Sequence, residues 1–457
     1  MPLSSSFLFF FFFFLLLLLH FSPTRPESEP ETLRLKLIRR AQDPTLTRLD
    51  RIRGLVHNDR LRRHRAAASP APSPPGAFEM PVRSGAYAGT GQYFVRVRVG
   101  TPAQRFLLVA DTGSDLTWVK CSYGSRKCGK KKCGSDPDAE RVFRADRSRT
   151  FHPISCGSDL CRNDLPFSLT TCPTPASPCD YDYGYFDGSS TQGFYANESV
   201  TIALSDGHKK RKLKGLLLGC TSSSSGPSFD SSDGVLGLGH SDISFASHAT
   251  AQFGGRFSYC LVDHLSPKNA TSYLTFGPNR MFRAAPAVQE TDLLITPKLD
   301  PYYGAAVIGL SVDGEVLRIP PSVWNVGKGG GAILDSGSSL TMLAEPAYRV
   351  VVSALSRRLV GIPEVKEDPF EYCYNWTRVG NITVPKLAVH FAGRAQLDPP
   401  VKSYLIDVAA GVKCLGFTSV AWPSVSTIGN IMQQEHLWEF DIQNRRLRFQ
   451  RSTCTTT

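Results

Sequence analysis

The sequence contains none of the short motifs that mark several large enzyme classes. It has no G-x-S-x-G nucleophile elbow, no H-E-x-x-H metal-binding helix and no glycine-rich phosphate loop, and its 10 histidines are scattered. These absences argue against a serine hydrolase with such an elbow, a metalloprotease with such a helix and a nucleotide-binding protein with such a loop. After Leu19 no apolar run is long enough to cross a bilayer, and the tail at residues 451–457 is too polar for a lipid-anchor signal. We therefore expect no stable membrane anchor in the mature protein.

The distribution of positive charge argues against a nucleic-acid partner. The chain has a formal net charge of +12, yet residues 25–78 alone hold 12 Lys and Arg against 6 Asp and Glu, which is half of the excess. Two further basic clusters, at residues 126–132 and 209–214, lack the interleaved aromatic residues of a nucleic-acid surface. We interpret them as solvated loop charge and expect no nucleic-acid partner.

The 12 cysteines form an even set, and seven of them lie between residues 121 and 179. Four residues separate Cys128 from Cys133 and also Cys156 from Cys161, with no flanking His in the usual zinc pattern. In an oxidising compartment the set predicts up to six disulfides, and their pairing is left open. We expect neither a metal nor a cofactor.

The N-terminus carries a candidate targeting segment. Residues 1–24 have no charged side chain, and Phe7–Leu19 is an unbroken run of 13 Phe and Leu residues, short of the roughly 20 needed to span a bilayer. We predict a signal peptide over 1–24, with a transit peptide or an uncleaved anchor as alternatives because no basic residue precedes the run. Four N-x-[ST] sequons agree with a secretory route, and they begin at Asn197, Asn269, Asn375 and Asn381.

Residues 25–78 are predicted to form a propeptide. Between residues 31 and 65, apolar residues recur with Arg at roughly helical spacing, which indicates an amphipathic basic segment. Residues 66–76 follow as AAASPAPSPPG, whose four prolines favour an exposed, cleavable linker. The mature chain would then begin near residues 77–84. A disordered extension is the alternative interpretation.

The remaining chain has the texture of a mainly β protein. Glycine (38) and proline (32) are plentiful, and they separate short apolar runs. From Tyr93 to Val99 every second residue is apolar, which predicts a strand with one buried face. Residues 106–110 form a second, continuously apolar run that stops at Asp111.

One local design occurs twice along the chain. An apolar strand runs into Asp-Thr-Gly-Ser at 111–114 and again into Asp-Ser-Gly-Ser at 335–338. A short apolar run ending in Gly follows each copy, at 235–237 and at 427–429. The repeat predicts two related lobes, over 79–285, which contains the Cys-rich stretch, and over 286–457, joined by a linker within 278–298.

A carboxylate at the end of a buried strand, followed by a hydroxyl residue and a glycine, is held at low dielectric with donors aimed at it. One such triplet often marks only a turn or a helix cap. Two triplets at corresponding places in two halves are far more specific. With FLLVADTGSDLTWV (106–119), YFDGSSTQG (185–193), DGVLGLG (233–239), FSYCLVDHL (257–265), AILDSGSSLT (332–341) and IGNIMQQEHLWEFD (428–441), residues 85–454 resemble the pepsin family of aspartic peptidases.

Within that family the chain resembles the nepenthesin-like plant branch and looks most like its NANA-type members. The resemblance implies a bilobal β fold around a central cleft, in which Asp111 and Asp335 meet, share one proton and activate a water molecule. It also implies that Trp118 hydrogen-bonds Tyr185, the tyrosine of a mobile hairpin over the substrate. The residues implied to surround the aspartates are Thr112, Gly113, Ser114, Ser336, Gly337 and Ser338.

Two departures from the family pattern stand out. Phe186 replaces a glycine, which puts the mobility of the hairpin in doubt, whereas Ser336 replaces a threonine and keeps the hydroxyl. The resemblance implies a monomeric aspartic endopeptidase that acts on polypeptides at acid pH. The alternative is a catalytically weak or inactive binding or inhibitor protein of the same fold. A secretory route to the apoplast or vacuole is expected, with a plastid as the alternative.

Overall fold

The structure, a computed structural model, describes residues 33–39, 92–124, 142–169, 172–185, 189–203, 210–226, 229, 232–263, 266, 271–279, 281–282, 288–368, 370–380 and 382–454. Several sequence predictions fall outside these residues. They are the signal peptide at 1–24, the linker at 66–76 and the side chains of Cys128, Cys133, Phe186, Asn269 and Asn381.

The described chain is mainly β, as predicted. The strands are β1 Leu33–Arg39, β2 Tyr93–Val99, β3 Gln104–Asp111, β4 Trp118–Ser122, β5 Phe143–Arg144, β6 His152–Pro153, β7 Asp180–Gly184, β8 Ser190–Ala203, β9 Lys210–Ser225, β10 Gly234–Gly237, β11 Arg256–Cys260, β12 Thr271–Phe276, β13 Gln289–Leu294, β14 Tyr303–Ala305, β15 Val307–Val312, β16 Glu315–Val316, β17 Ala332–Asp335, β18 Thr341–Ala344, β19 Glu364–Glu367, β20 Phe370–Asn375, β21 Leu387–Phe391, β22 Gln396–Leu397, β23 Leu405–Ala409, β24 Val412–Leu415, β25 Phe417–Val420, β26 Ser426–Gly429, β27 His436–Asp441 and β28 Arg446–Arg451. The α-helices are α1 Phe245–Thr250, α2 Glu345–Arg358 and α3 Asn430–Gln433.

Two lobes repeat one strand arrangement. In the first lobe β3 pairs antiparallel with β2 and parallel with β10, while β4 pairs antiparallel with β10 and parallel with β9. In the second lobe β17 has the same relation to β14 and β26, and β18 has the same relation to β26 and β25. This correspondence confirms the bilobal fold that the duplicated motif predicted.

A continuous run of strands joins the lobes. In order across the sheet it is β2, β1, β12, β11, β27, β28 and β13, with β11 and β27 pairing antiparallel between the lobes. The helical spacing inferred for residues 31–65 is wrong at Leu33–Arg39, because this segment is the strand β1, hydrogen-bonded on both sides. Neighbouring strands supply backbone partners that outweigh a weak local periodicity.

The sequence correctly predicted that β2 is a strand, but it did not predict that part of its second face is also buried. Its alternate apolar residues are buried in the main core, and Arg96 is exposed on the other face. Phe94 lies on that second face and is also fully buried, because it packs into an aromatic cluster with Trp118 and Tyr185. This strand therefore has core on both faces near its start.

Five disulfides lie within the described residues. They join Cys121 to Cys220, Cys156 to Cys172, Cys161 to Cys179, Cys260 to Cys454 and Cys373 to Cys414. Cys156 and Cys161 thus bind different partners rather than acting as one pair. Among the described residues, no helix is both long and apolar enough to cross a membrane.

Candidate active site

Asp111 ends β3 deep inside the first lobe. The three residues before it, Leu108–Ala110, are buried and apolar, and Gly237 of β10 lies opposite it in the parallel register. The side chain of Asp111 is fully buried. The backbone N–H of Gly113 donates to Asp111 Oδ1 over 2.9 Å, and Ser114 Oγ donates to Asp111 Oδ2 over 2.9 Å. These donors stabilise a carboxylate away from water.

Asp335 ends β17 in the same manner. It is fully buried, and Gly429 of β26 lies opposite it. The backbone N–H of Gly337 donates to Asp335 Oδ1 over 2.8 Å, and Ser338 Oγ donates to Asp335 Oδ2 over 2.5 Å. Both aspartates are therefore held by a glycine N–H two residues on and a serine hydroxyl three residues on.

The middle residues of the two triplets tie the loops together. The N–H of Thr112 donates to Ser336 Oγ over 3.0 Å, and the N–H of Ser336 donates to Thr112 Oγ1 over 2.9 Å. Each hydroxyl then donates to a carbonyl of the opposite strand, from Thr112 to Leu334 and from Ser336 to Ala110, over 3.3 and 3.0 Å. Four reciprocal hydrogen bonds fix one loop against the other.

Both carboxyl groups lie next to Gly113. Its N–H contacts Asp111, and a Cβ atom placed on Gly113 would lie 2.6 Å from Asp335 Oδ1. Real Cβ atoms do not approach an oxygen so closely, so a side chain here would push the carboxyl groups apart. Glycine at this position thus leaves room for the carboxyl group of Asp335 beside the loop that holds Asp111.

An aromatic group lies beside the first aspartate. Trp118 Nε1 donates to the hydroxyl of Tyr185, and the ring of Phe229 packs edge-on at 4.9 Å from both aromatic side chains. Tyr185 is almost fully buried and interacts electrostatically with Asp111. Burial raises the pKa of Tyr185 well above its ordinary value, so its hydroxyl stays protonated.

Sequence reasoning missed Asp115 as a member of this group. Tyr183 donates to Asp115 Oδ1 over 2.9 Å, and the carboxyl group is only 6% exposed. Burial raises the pKa of Asp115, while hydrogen bonds from Tyr183, from the N–H groups of Leu116 and Asp115 and from Ser241 oppose the rise. A charged residue directly before the mostly apolar stretch LTWV is the sequence signal that could have revealed it.

Two polar side chains from α3 support the second loop and were also missed. Asn430 Nδ2 donates to the carbonyl of Ser336 over 3.0 Å, and Gln433 Nε2 donates to the carbonyl of Asp335 over 3.3 Å. The motif at 428–441 contains both residues, but spacing alone does not show what they contact. No cluster of His, Cys, Asp and Glu within the described ranges has the makeup of a metal site.

Chemically, the arrangement offers two buried carboxyl groups with matched donors next to one glycine. Two neighbouring carboxyl groups can supply one acid and one base at the same place, which general acid–base chemistry requires.

The chain resembles known proteins along most of its length. Residues 93–278 match the family model "xylanase inhibitor N-terminal", and residues 302–451 match "xylanase inhibitor C-terminal". The chain is 35% identical to aspartyl protease family protein 2 of Arabidopsis thaliana, over 83% of this chain and 74% of that protein. It is 32% identical to aspartic proteinase nepenthesin-2 of Nepenthes gracilis, over 95% and 92% of the two chains.

The fold also resembles a solved structure. The crystal structure of edgp has a TM-score of 0.67 and 16% identity, and the match covers 93% of this chain and 97% of that one. This likeness concerns the fold alone. The identities to the two plant proteases, together with the bilobal fold, show that the chain belongs to the plant pepsin-like aspartic proteases.

Proposed function

We propose that the protein is an aspartic endopeptidase in which Asp111 and Asp335 activate a water molecule for attack on a peptide bond. The observation that supports this most directly is the matched environment of the two buried carboxyl groups, both of which lie next to Gly113. A binding protein without catalysis would not need two such environments, each with its own pair of donors.

The reaction balances with these two groups alone. The ionised aspartate takes a proton from water as the water oxygen attacks the scissile carbonyl carbon, and the protonated aspartate donates to the carbonyl oxygen. The resulting diol then returns its hydroxyl proton to one carboxylate as the C–N bond breaks. The other carboxyl group protonates the leaving amine. Tyr185 and Trp118 would position the substrate beside the pair.

A second candidate is an inhibitory binding protein, which the xylanase inhibitor descriptions of the matching family models favour. Both candidates are tested by one experiment. The chain from residue 25 onward is expressed and acidified, and cleavage of a denatured protein is measured with and without pepstatin. Pepstatin-sensitive cleavage supports the peptidase. No cleavage, together with slowing of a xylanase by the protein, would favour the inhibitor.

Variants of the pair sharpen that assay. Asp111→Asn and Asp335→Asn each keep the size of the side chain and remove half of the acid–base pair, so we expect a loss of about 10³-fold or more in kcat. Asp398→Asn is the matched control, because Asp398 is an exposed carboxylate in the second lobe. Substantial turnover by either folded dyad variant would overturn the assignment.

The proposal includes a prosegment over residues 25–78, a secretory route to the apoplast or vacuole with a plastid as alternative, and a monomeric enzyme. Five disulfides among the described residues fit folding in an oxidising compartment. N-terminal sequencing of protein isolated from tissue tests the prosegment. A start near residues 77–84 supports it, whereas a start at residues 20–30 in a fully active enzyme rules it out.

A further inference from the structure

Asp115 is a buried acidic residue that the proposed reaction does not use. It directly follows Ser114, and its carboxyl group accepts hydrogen bonds from the hydroxyls of Tyr183 and Ser241 and from backbone N–H groups. A buried carboxylate costs free energy unless several donors satisfy it. The number of donors here indicates a site built to hold this group in one place.

The contact with Tyr183 connects Asp115 to Tyr185. Tyr183 is fully buried, and its ring lies 4.9 Å from the ring of Tyr185 at an interplanar angle of 51°. Phe167 packs on Tyr183 at 4.4 Å. The ring of Tyr185 is therefore held by Tyr183, and its hydroxyl by Trp118.

The second lobe serves as an internal control. Counting from Asp335, the positions that correspond to Asp115 and Trp118 carry Ser339 and Met342. Asp335 nevertheless receives the same two hydrogen bonds as Asp111. Neither Asp115 nor Trp118 is thus needed to hold an aspartate, and both contact a tyrosine next to or within β7.

We propose that Asp115 is a positioning residue that fixes the orientation of Tyr185, relative to the aspartate pair, through Tyr183. The inference rests on the proposed peptidase function. Misplacing a group that orients substrate costs up to about 100-fold in rate even when the reacting groups are intact. Loss of the contact should therefore lower kcat/KM while the aspartates keep their own donors.

Four variants test the contact. Asp115→Ala and Tyr183→Phe remove it from either side, and we expect each to lower kcat/KM at acid pH by about 10- to 100-fold. Combining them should cost little more than either alone, since both break one contact. Asp115→Asn keeps an acceptor oxygen and should stay within about threefold of the parent. Tyr183→Phe keeps the test decisive if Asp115→Ala does not fold.

Tyr181→Phe is the matched control. Tyr181 lies on the same strand, is 1% exposed, and its hydroxyl bonds Thr221 over 2.7 Å, but its ring packs on Tyr195 rather than on Tyr185. We expect its kcat/KM to equal that of the parent within about threefold. Equal losses in Tyr181→Phe and Tyr183→Phe, or fully multiplicative losses in the double variant, would overturn the proposal.

Hydrogen exchange separates this inference from the peptidase function. If the parent protein does not cleave at all, the function fails, but the amides of 180–185 and 189–194 still report on the hairpin. Faster exchange there in Tyr183→Phe than in Tyr181→Phe supports the contact. Equal exchange rates in the two variants overturn it, whether or not the parent is active.

Discussion

The two aspartate loops hold their carboxyl groups alike and differ in what surrounds them. Position by position, DTGSDLTWV from Asp111 matches DSGSSLTML from Asp335. The likeness continues past the serines, since Thr117 Oγ1 accepts from the N–H of Gly237 over 3.1 Å and Thr341 Oγ1 accepts from the N–H of Gly429 over 3.4 Å.

The charged and aromatic differences are confined to two positions. Asp115 and Trp118 in the first loop face Tyr183 and Tyr185, whereas Ser339 occupies the position of Asp115 in the second loop. The shared part of the repeat therefore places the carboxyl groups, and the unshared part meets the tyrosines at β7. A repeat of this kind separates residues that serve the chemistry from residues that serve one lobe only.

The largest expected loss of stability comes from substitutions in the part of the repeat that both lobes share. A Cβ atom on Gly237 would overlap the carbonyl oxygen of Asp115, and one on Gly429 would overlap that of Leu340. Both overlaps are with backbone, which cannot rotate away. We expect Gly237→Ala and Gly429→Ala each to lower the free energy of unfolding by about 4 kcal/mol or more, as urea denaturation would measure.

Gly309→Ala is the control for these glycines. Gly309 lies in β15, and a Cβ atom there would meet nothing within 4 Å among the described residues. Its substitution should change the free energy of unfolding by less than about 1 kcal/mol. If one of the two alanine variants is as stable as Gly309→Ala, the loops are not equivalent in packing.

Much of the shared part could be predicted from sequence. The duplicated triplet and the later apolar-Gly elements predicted the lobes, and the structure places Gly237 and Gly429 opposite Asp111 and Asp335. A repeat can be found in a single sequence because one copy can be compared with the other. The strand in each copy then shows which residues of the two copies correspond.

The unshared part could not be predicted in this way. The contact between Asp115 and Tyr183 joins residues 68 positions apart, and the second loop has Ser339 in place of Asp115, so the repeat gives no sign of it. The pairing of Cys156 with Cys172 is likewise set by loop packing rather than by spacing. At Leu33–Arg39, tertiary strand pairing overrode a helical periodicity.

An intermediate loss of stability is expected when the hydrogen bonds between the two loops are removed. Thr112→Val and Ser336→Ala each remove a hydroxyl that bonds one N–H and one carbonyl in the opposite loop. Leaving buried groups unpaired should cost about 2 kcal/mol of unfolding free energy in each variant. Thr112→Ser keeps the hydroxyl and should cost less than about 1 kcal/mol. A large difference in unfolding free energy between Thr112→Val and Ser336→Ala would show that the two loops do not contribute equally to these hydrogen bonds.

The smallest expected effect is a pH-dependent change in stability that depends on Asp115, which only the first loop contains. Burial raises the pKa of Asp115 above its ordinary value of 3.8, so the folded state binds this proton more tightly than the unfolded state does. The resulting stabilisation is complete at pH values below 3.8 and is lost as the pH rises through the folded-state pKa. Asp115→Asn has no such proton. Relative to the parent, it should gain unfolding free energy as the pH rises from acid towards neutral.

Comparison with Ser339→Ala isolates that effect. Ser339 occupies the corresponding position in the second loop and does not titrate in this range, so its substitution should shift the unfolding free energy equally at every pH. Other groups, such as Glu439, whose pKa burial also raises, are present in all three proteins and cancel in the differences. Any altered hydrogen bonding of the asparagine adds a constant offset, so only the slope of the difference against pH is diagnostic. Urea denaturation at several pH values would measure the unfolding free energy of Asp115→Asn relative to the parent. If this difference does not change with pH, the two loops differ in their contacts alone and not in their charge.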